Sequence, residues 1–186
     1  MTENLEFRNS TAEDWPAIVT LYRDAFPNED LAPLVWDLLQ EPEGILSLIG
    51  IIRPDAAYPV ACPPIICHVI FTRCSLTGSL TPLNIALLGP LAVARAWQRK
   101  GCGSAIVRHG LQHMLNDGVA CVCVLGNPAY YGRFGFLPET AIRSPYTLPI
   151  EWHAAWQSIY LGSNRIQYQG TLSVPQPWQR PELWLP

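Results

Sequence analysis

The run Leu87-Leu88-Gly89-Pro90-Leu91-Ala92-Val93, continuing through Ala94-Arg95-Ala96-Trp97 into Gln98-Arg99-Lys100-Gly101-Cys102-Gly103-Ser104-Ala105, decides how this chain folds. Its first part is apolar and branched, and reads as a strand ending near Val93. Its last part opens a helix over 101–115, because Ile106, Val107, Gly110, Leu111, Met114 and Leu115 recur at helical spacing on one inner face. Asn116-Asp117-Gly118 stops that helix, and Val119–Leu125 is a compact apolar strand. Strand, helix and strand in this order predict two neighbouring parallel strands joined by a right-handed crossover.

Upstream, Leu5-Glu6-Phe7-Arg8 alternates as a first strand. Ser10 or Thr11 caps a helix with Glu13 and Asp14 in its first turn. Trp15, Ile18, Val19, Tyr22 and Phe26 form its buried stripe, and Pro27 ends it. A second amphipathic helix covers 31–40. Three strand-like runs at 45–53, 65–76 and 84–93 suggest an antiparallel meander. Downstream, Asn127 opens a short helix over 128–134, and 154–161 reads as a further strand. The class expected is α+β, of α/β/α-like layering: a mixed, mostly antiparallel sheet with helices on both faces.

The chain has 186 residues, 49% of them hydrophobic and 15% charged, which suits one domain over 1–186. Eighteen prolines are many, and eleven of them gather at 54–64, 138–149 and 175–186, the last read as an extended tail. A net charge of −3 exerts no general pull on nucleic acid or anionic membrane, so an anion site must be local. The longest apolar run, Ile45–Ile52, is too short to span a bilayer. None of the six cysteines forms a C-x-x-C pair, so no metal site is expected, and the polar start Met1–Ser10 is no secretory signal. A cytoplasmic protein with reduced thiols is the expectation.

A helix start leaves its first amides without intrahelical partners and carries partial positive charge. Gly101 and Gly103 let that backbone approach a pyrophosphate closely, and Arg99 and Lys100 add charge. Two rival phosphate motifs fail. The dinucleotide fingerprint needs a small residue where Ile106 stands, and the nucleotide P-loop needs four residues between its glycines, where only Cys102 is found.

Gln98, Gly101 and Gly103 after a strand resemble the signature of the GNAT superfamily of N-acetyltransferases, Gln/Arg-x-x-Gly-x-Gly/Ala. Tyr131-Gly132-Arg133-Phe134-Gly135-Phe136 resembles the Tyr-x-x-x-Gly-Phe element of the same superfamily. The longer run from Leu125 to Phe136 is similar to its YhbS-like branch, and the likeness covers about 87–139 well.

This resemblance implies a GNAT fold, with splayed parallel strands at a cleft for acetyl-coenzyme A (or another acyl-coenzyme A) as co-substrate. It implies that Leu91, Ala92 and Val93 pair with the pantetheine arm. Gln98, Arg99, Lys100, Gly101, Cys102, Gly103 and Ser104 then hold the pyrophosphate. An amine attacks the thioester directly, and Tyr131 protonates the leaving thiolate. Asn127 is either a cofactor contact or an N-cap before Pro128, the cap being favoured. Cys102 is read as a backbone contact, not a nucleophile. His68, Glu29, Asp30 and Glu41 are weak candidates for a general base, and none stands out.

The acceptor is a small-molecule or protein amine. Trp152, Trp156, Trp178 and Trp184 are candidates to line its pocket or a homodimer surface, with Trp156 more simply a core residue of the 154–161 strand and Trp178 and Trp184 partly exposed. Two alternatives remain open on the sequence: a non-catalytic sensor of acyl-coenzyme A, and transfer of a longer acyl chain to a non-amine acceptor.

Overall fold

The computed structural model describes residues 4–53, 64–78, 84–162 and 168–185; Cys62 and the stretch 54–63 lie outside them. The chain forms two compact units, Met1–Ile70 with Pro90–Gly110, and Phe71–Gly89 with Leu111–Pro186. Two strands, β3 (Ile65–Thr77) and β4 (Ile85–Val93), contribute to both.

In the first unit, β1 (Leu5–Asn9) pairs antiparallel with β2 (Ile45–Ile52), Leu5 facing Ile52 and Asn9 facing Leu48. The hydrogen-bonded order is β1-β2-β3-β4. Between β1 and β2 come a 3-10 turn (Ala12–Asp14) and two helices, α1 (Trp15–Ala25) and α2 (Ala32–Leu39). The Asp14 carboxylate organises this start. It accepts the Thr11 amide at 2.7 Å and both arms of the Arg8 guanidinium at 2.7 Å, which holds it below the usual carboxylate range. Helix α1 buries Ile18, Leu21 and Tyr22, and α2 buries Leu34, Val35 and Leu38.

In the second unit, β4 pairs parallel with β5 (Cys121–Leu125). Strand β8 (Trp156–Tyr160) lies antiparallel beside β5, and β6 (Leu137–Pro138) antiparallel beside β8. A short β9 (Gly170–Ser173) pairs antiparallel with Ser75–Thr77 of β3 and parallel with β7 (Ile142–Arg143). The sheet is mixed and mostly antiparallel, as the pattern of runs predicts. Helix α3 (Cys102–Asn116) bridges β4 and β5 in sequence, so the expected crossover is present.

Several elements differ from the reading of the sequence. The helix over 128–134 is α only at α4 (Pro128–Tyr131) and tightens to 3-10 over Gly132–Phe134, ending on Gly135 at φ 95°. The strand over 154–161 begins at Trp156, since Ile150–Ala155 is 3-10. Leu115 is 40% exposed although the helical spacing places it on the inner face of α3. The C-terminal prolines do not make an extended tail. Gln176–Trp178 and Pro181–Trp184 are 3-10 turns, and Trp184 is fully buried. Its indole donates to the Trp178 carbonyl at 3.0 Å, and the Trp178 indole donates to Thr72 Oγ1 at 3.1 Å. Burial of two large rings outweighs the extended preference of the prolines around them.

Candidate cofactor loop and proton donor

Within the first unit, β4 leads through a 3-10 turn at Arg95–Trp97 into the start of α3. The first bond of that helix runs from the Ala105 amide to the Gly101 carbonyl, at 2.9 Å. The amides of Cys102, Gly103 and Ser104 therefore have no helical carbonyl upstream to bond. Arg99 and Gly101 both take positive φ, 60° and 88°. Left-handed residues at these two positions put the loop backbone in turn conformations, the kind from which anion-binding nests are built. A non-glycine residue in this region carries strain, and its place here, at the predicted phosphate loop, is where such strain is expected to serve binding.

The side chains predicted to touch the pyrophosphate have distinct tasks. Gln98 donates from Nε2 to the Val93 carbonyl at 3.1 Å, so it ties the loop back to the end of β4. Lys100 Nζ lies 5.1 Å from the centre of the Trp97 ring, in cation–π range. Arg99 and Lys100 are exposed, while Ala92 and Cys102 are buried, so the last two offer only backbone to a ligand. Burial raises the Cys102 thiol above its ordinary pKa despite Lys100 nearby, which leaves it unsuited to nucleophilic attack. Leu91 and Val93 are half-buried. On its other flank the end of β4 is already paired, the Ala94 amide donating to the Ile66 carbonyl at 2.9 Å.

His68, a weak candidate for a base, sits in the core of this unit. Its ring nitrogens are engaged by the Tyr22 hydroxyl at 3.0 Å and by Ser47 Oγ at 2.8 Å; Ser47 in turn meets Ser10 Oγ at 2.6 Å. The Tyr22 hydroxyl also lies 3.4 Å from the Pro90 carbonyl. Burial drives the His68 pKa down to about 3, so the ring is neutral and occupied in holding β3 to its neighbours.

The second unit holds the turn after β5. The β4–β5 ladder has three pairs, ending at Leu87 and Cys123, while β4 runs on through Gly89 (φ 147°) and Pro90 to Val93. A mirror-region glycine followed by a residue without an amide hydrogen breaks the ladder there. After Leu125, Gly126 and Asn127 lead into α4. Asn127 Oδ1 accepts the Ala129 amide at 2.8 Å, the N-cap role.

Tyr131 is half-buried, and its phenol is raised above the ordinary value, first by burial and then by Tyr130 beside it. It stays protonated across the physiological range and can donate. Its ring stands on Gly126: a Cβ there would collide with Tyr131 Cε2 and lie 3.0 Å from Cδ2. Gly126 is held from both sides, its amide donating to the Ala155 carbonyl at 2.9 Å and its carbonyl accepting from Gln157 Nε2 at 3.0 Å. Phe136 closes the ring edge-on, with centroids 5.7 Å apart. Gly126 and Gln157 have no role in the sequence reading. The only signal was Gly126 standing before an N-cap, where a turn glycine is the ordinary interpretation.

Comparison with known proteins agrees with these features. The acetyltransferase (GNAT) domain family matches residues 6–138, and the chain belongs to that family, whose enzymes take acetyl-coenzyme A as co-substrate. Among particular proteins, it is 34% identical over 123 residues to the uncharacterized N-acetyltransferase YhbS of Escherichia coli strain K12, covering 66% of this chain and 68% of that one. It is 32% identical over 113 residues to the uncharacterized N-acetyltransferase YjhQ of the same strain, covering 59% of this chain and 62% of YjhQ. The crystal structure of E. coli YhbS in complex with coenzyme A superposes with a TM-score of 0.79 at 26% identity, covering 95% of this chain and 93% of that one. A GNAT family acetyltransferase from Brucella melitensis, solved with acetyl-coenzyme A, shares the fold at a TM-score of 0.71 and 21% identity. Among the described residues no helix is long and apolar enough to cross a membrane, and no group of acidic, His or Cys side chains is arranged to hold a metal.

Proposed function

We propose that this protein is an acetyl-coenzyme A-dependent N-acetyltransferase acting on a primary amine by direct attack on the thioester. The observation that carries the reading is the loop at Arg99 and Gly101, whose two left-handed residues lead into a helix start with no carbonyl upstream for its first amides. The coenzyme A found with E. coli YhbS supports assigning the pyrophosphate to the amides from Arg99 to Ser104, the Gln98 amide being spent on the Arg95 carbonyl at 3.3 Å. The short β4–β5 ladder supports a pantetheine arm lying along Leu91–Val93 as a surrogate strand. Because β3 and β4 contribute to both units, the chain is read as one catalytic domain.

The reaction then needs little covalent help. The amine, as free base, attacks the thioester carbonyl; the C–N bond forms and the C–S bond breaks. Tyr131 gives its proton to the departing thiolate, and the proton shed by the new amide nitrogen restores the balance through solvent. Holding the two substrates together supplies much of the acceleration. Asn127 serves as a cap, with its amide nitrogen left to face the cofactor. Release of free thiol from acetyl-coenzyme A in the presence of a panel of primary amines tests this. The expected result is amine-dependent release. Tight cofactor binding with no release to any amine would show a sensor instead.

A further inference from the structure

The second unit contains a cavity of about 540 Å³, walled by Glu139, Arg143, Tyr146, Leu148, His153 and Trp156 among others. Its size falls within the range of small-ligand sites. Its two charges are anchored separately. Glu139 Oε1 accepts the amides of Ala141 at 2.7 Å and Ile142 at 3.1 Å, and Oε2 accepts from Ser158 Oγ at 2.5 Å. Those three donors leave room for a further one on the carboxylate, which has about four acceptor positions. Arg143 is placed by the β7–β9 register opposite Thr171, and its Nε donates to Thr171 Oγ1 at 3.3 Å. That bond leaves the terminal nitrogens of the guanidinium for a carboxylate partner.

Glu139 and Arg143 do not form an ion pair with each other. Opposite charges lining one cavity, the half-buried Glu139 and the exposed Arg143, each bonded to neutral partners and not paired with each other, suit a ligand that carries both signs. The floor is apolar: Trp156 and Leu148 are buried, and the Trp156 indole is turned onto the Ile142 carbonyl at 2.7 Å. The cavity lies on the Trp156 face of β8. Gln157, one residue on, points to the opposite face, where it holds Gly126 beneath Tyr131. Direct transfer requires both substrates to be bound at once, so an acceptor needs a pocket of its own.

We propose that this cavity binds the head group of an α-amino acid, with the ammonium on Glu139 and the carboxylate on Arg143. The assignment as an acceptor pocket rests on the acetyltransferase reading above. An ammonium gripped by a carboxylate is not nucleophilic, so the amine acylated is a second one, on the side chain of a diamino acid such as lysine or ornithine.

Isothermal calorimetry tests binding without reference to turnover, using lysine, ornithine, lysine methyl ester and 1,5-diaminopentane on the whole protein. Lysine and ornithine bind, the ester and the diamine bind at least tenfold more weakly, and Arg143→Gln removes the difference. Thr147→Trp, which fills the cavity from an exposed wall, abolishes binding while leaving the thermal midpoint near wild type. Equal affinity for the diamine and lysine, or no amino-acid binding at millimolar concentration, overturns the proposal. Thiol release separates the two readings. Binding that behaves as stated without any acetyl transfer keeps this site and removes the acetyltransferase reading. Transfer to lysine that is indifferent to Arg143→Gln keeps the enzyme and removes this site.

Discussion

The two turns that follow the parallel strands β4 and β5 solve the same problem in opposite ways. Each takes a strand into a helix, and each contains a glycine that looks, in sequence, like ordinary turn punctuation. After β4, Gly101 is needed for its backbone, at φ 88°, and the helix start is left open with its amides unspent. After β5, Gly126 does not take a positive φ; it is needed because the Tyr131 ring lies against its α-carbon. There the helix start is closed by Asn127, and α4 is too short to serve as an anion site. One turn presents backbone and the other presents a side chain. The difference teaches that a glycine can mark either a conformation or a contact, and only coordinates separate the two.

Substitutions can break this comparison. The largest effect is expected from Tyr131→Phe, which removes the proposed proton donor and keeps the ring on Gly126. Turnover falls by about 10²-fold or more, the usual scale for general acid catalysis, with the dissociation constant for coenzyme A within threefold of wild type. Unchanged steady-state turnover would remove the donor role.

Next comes the His68 cluster, which lies outside both turns and serves as a stability control. Its pKa is about 3 in the folded protein and near 6.5 when unfolded. Between these values the unfolded state binds the extra proton. Stability is thus fully present above about pH 6.5 and is lost as pH falls toward 3, by about 1.4 kcal/mol per unit. Asp14, whose pKa is lowered, adds its own loss as pH falls through the ordinary carboxylate value and on below it, so the window from pH 6.5 to 4.5 reports mainly on His68. Urea unfolding of wild type against His68→Gln across that window should show a steep and a flat dependence respectively; parallel slopes would refute the buried neutral histidine.

At the first turn, Gly101→Ala forces a side chain into the left-handed region at a cost of about 1–2 kcal/mol. Coenzyme A binding by calorimetry weakens about tenfold, while Gly126→Ala leaves that affinity unchanged. The sharper test is the smallest. Gly126→Ala lowers turnover about tenfold because the ring is pushed off its seat. In a Tyr131→Leu background the same substitution has no further effect, since the atoms it collides with are gone. Additive losses in that double-mutant cycle would mean that Gly126 acts on the turn and not through Tyr131.

Much of this arrangement was legible in the residues. The spacing of Ile106, Val107, Leu111 and Met114 predicts α3, and all four are buried. The loop between β4 and α3 was readable because backbone groups at a helix start are orphaned whatever the surroundings. Tyr131 was found through its place in a motif, and its partners were not. Gln157 lies 31 residues from Gly126, whose carbonyl it holds, and no periodicity announces such a contact. Strands β6, β7 and β9 are two to four residues long and exist through their pairing partners, so their own sequences carry little signal. The prolines that dominate the stretch around Trp178 and Trp184 predict a partly exposed tail; burial against Thr72 and Trp156 is a tertiary gain.

By itself, then, the sequence determined the order of the main elements, the membership of the acetyltransferase family and the glycine-bearing helix start proposed to hold a pyrophosphate. Each of these depends on interactions within a few residues, on a periodic apolar face or on an unpaired helix start. Tertiary structure alone decided that His68 is a neutral core histidine, that Gly126 is the seat of a ring, and that Glu139 and Arg143 share a cavity without pairing. Those facts depend on groups brought together across long stretches of chain, where burial sets the charge state and the space left between side chains sets what can bind.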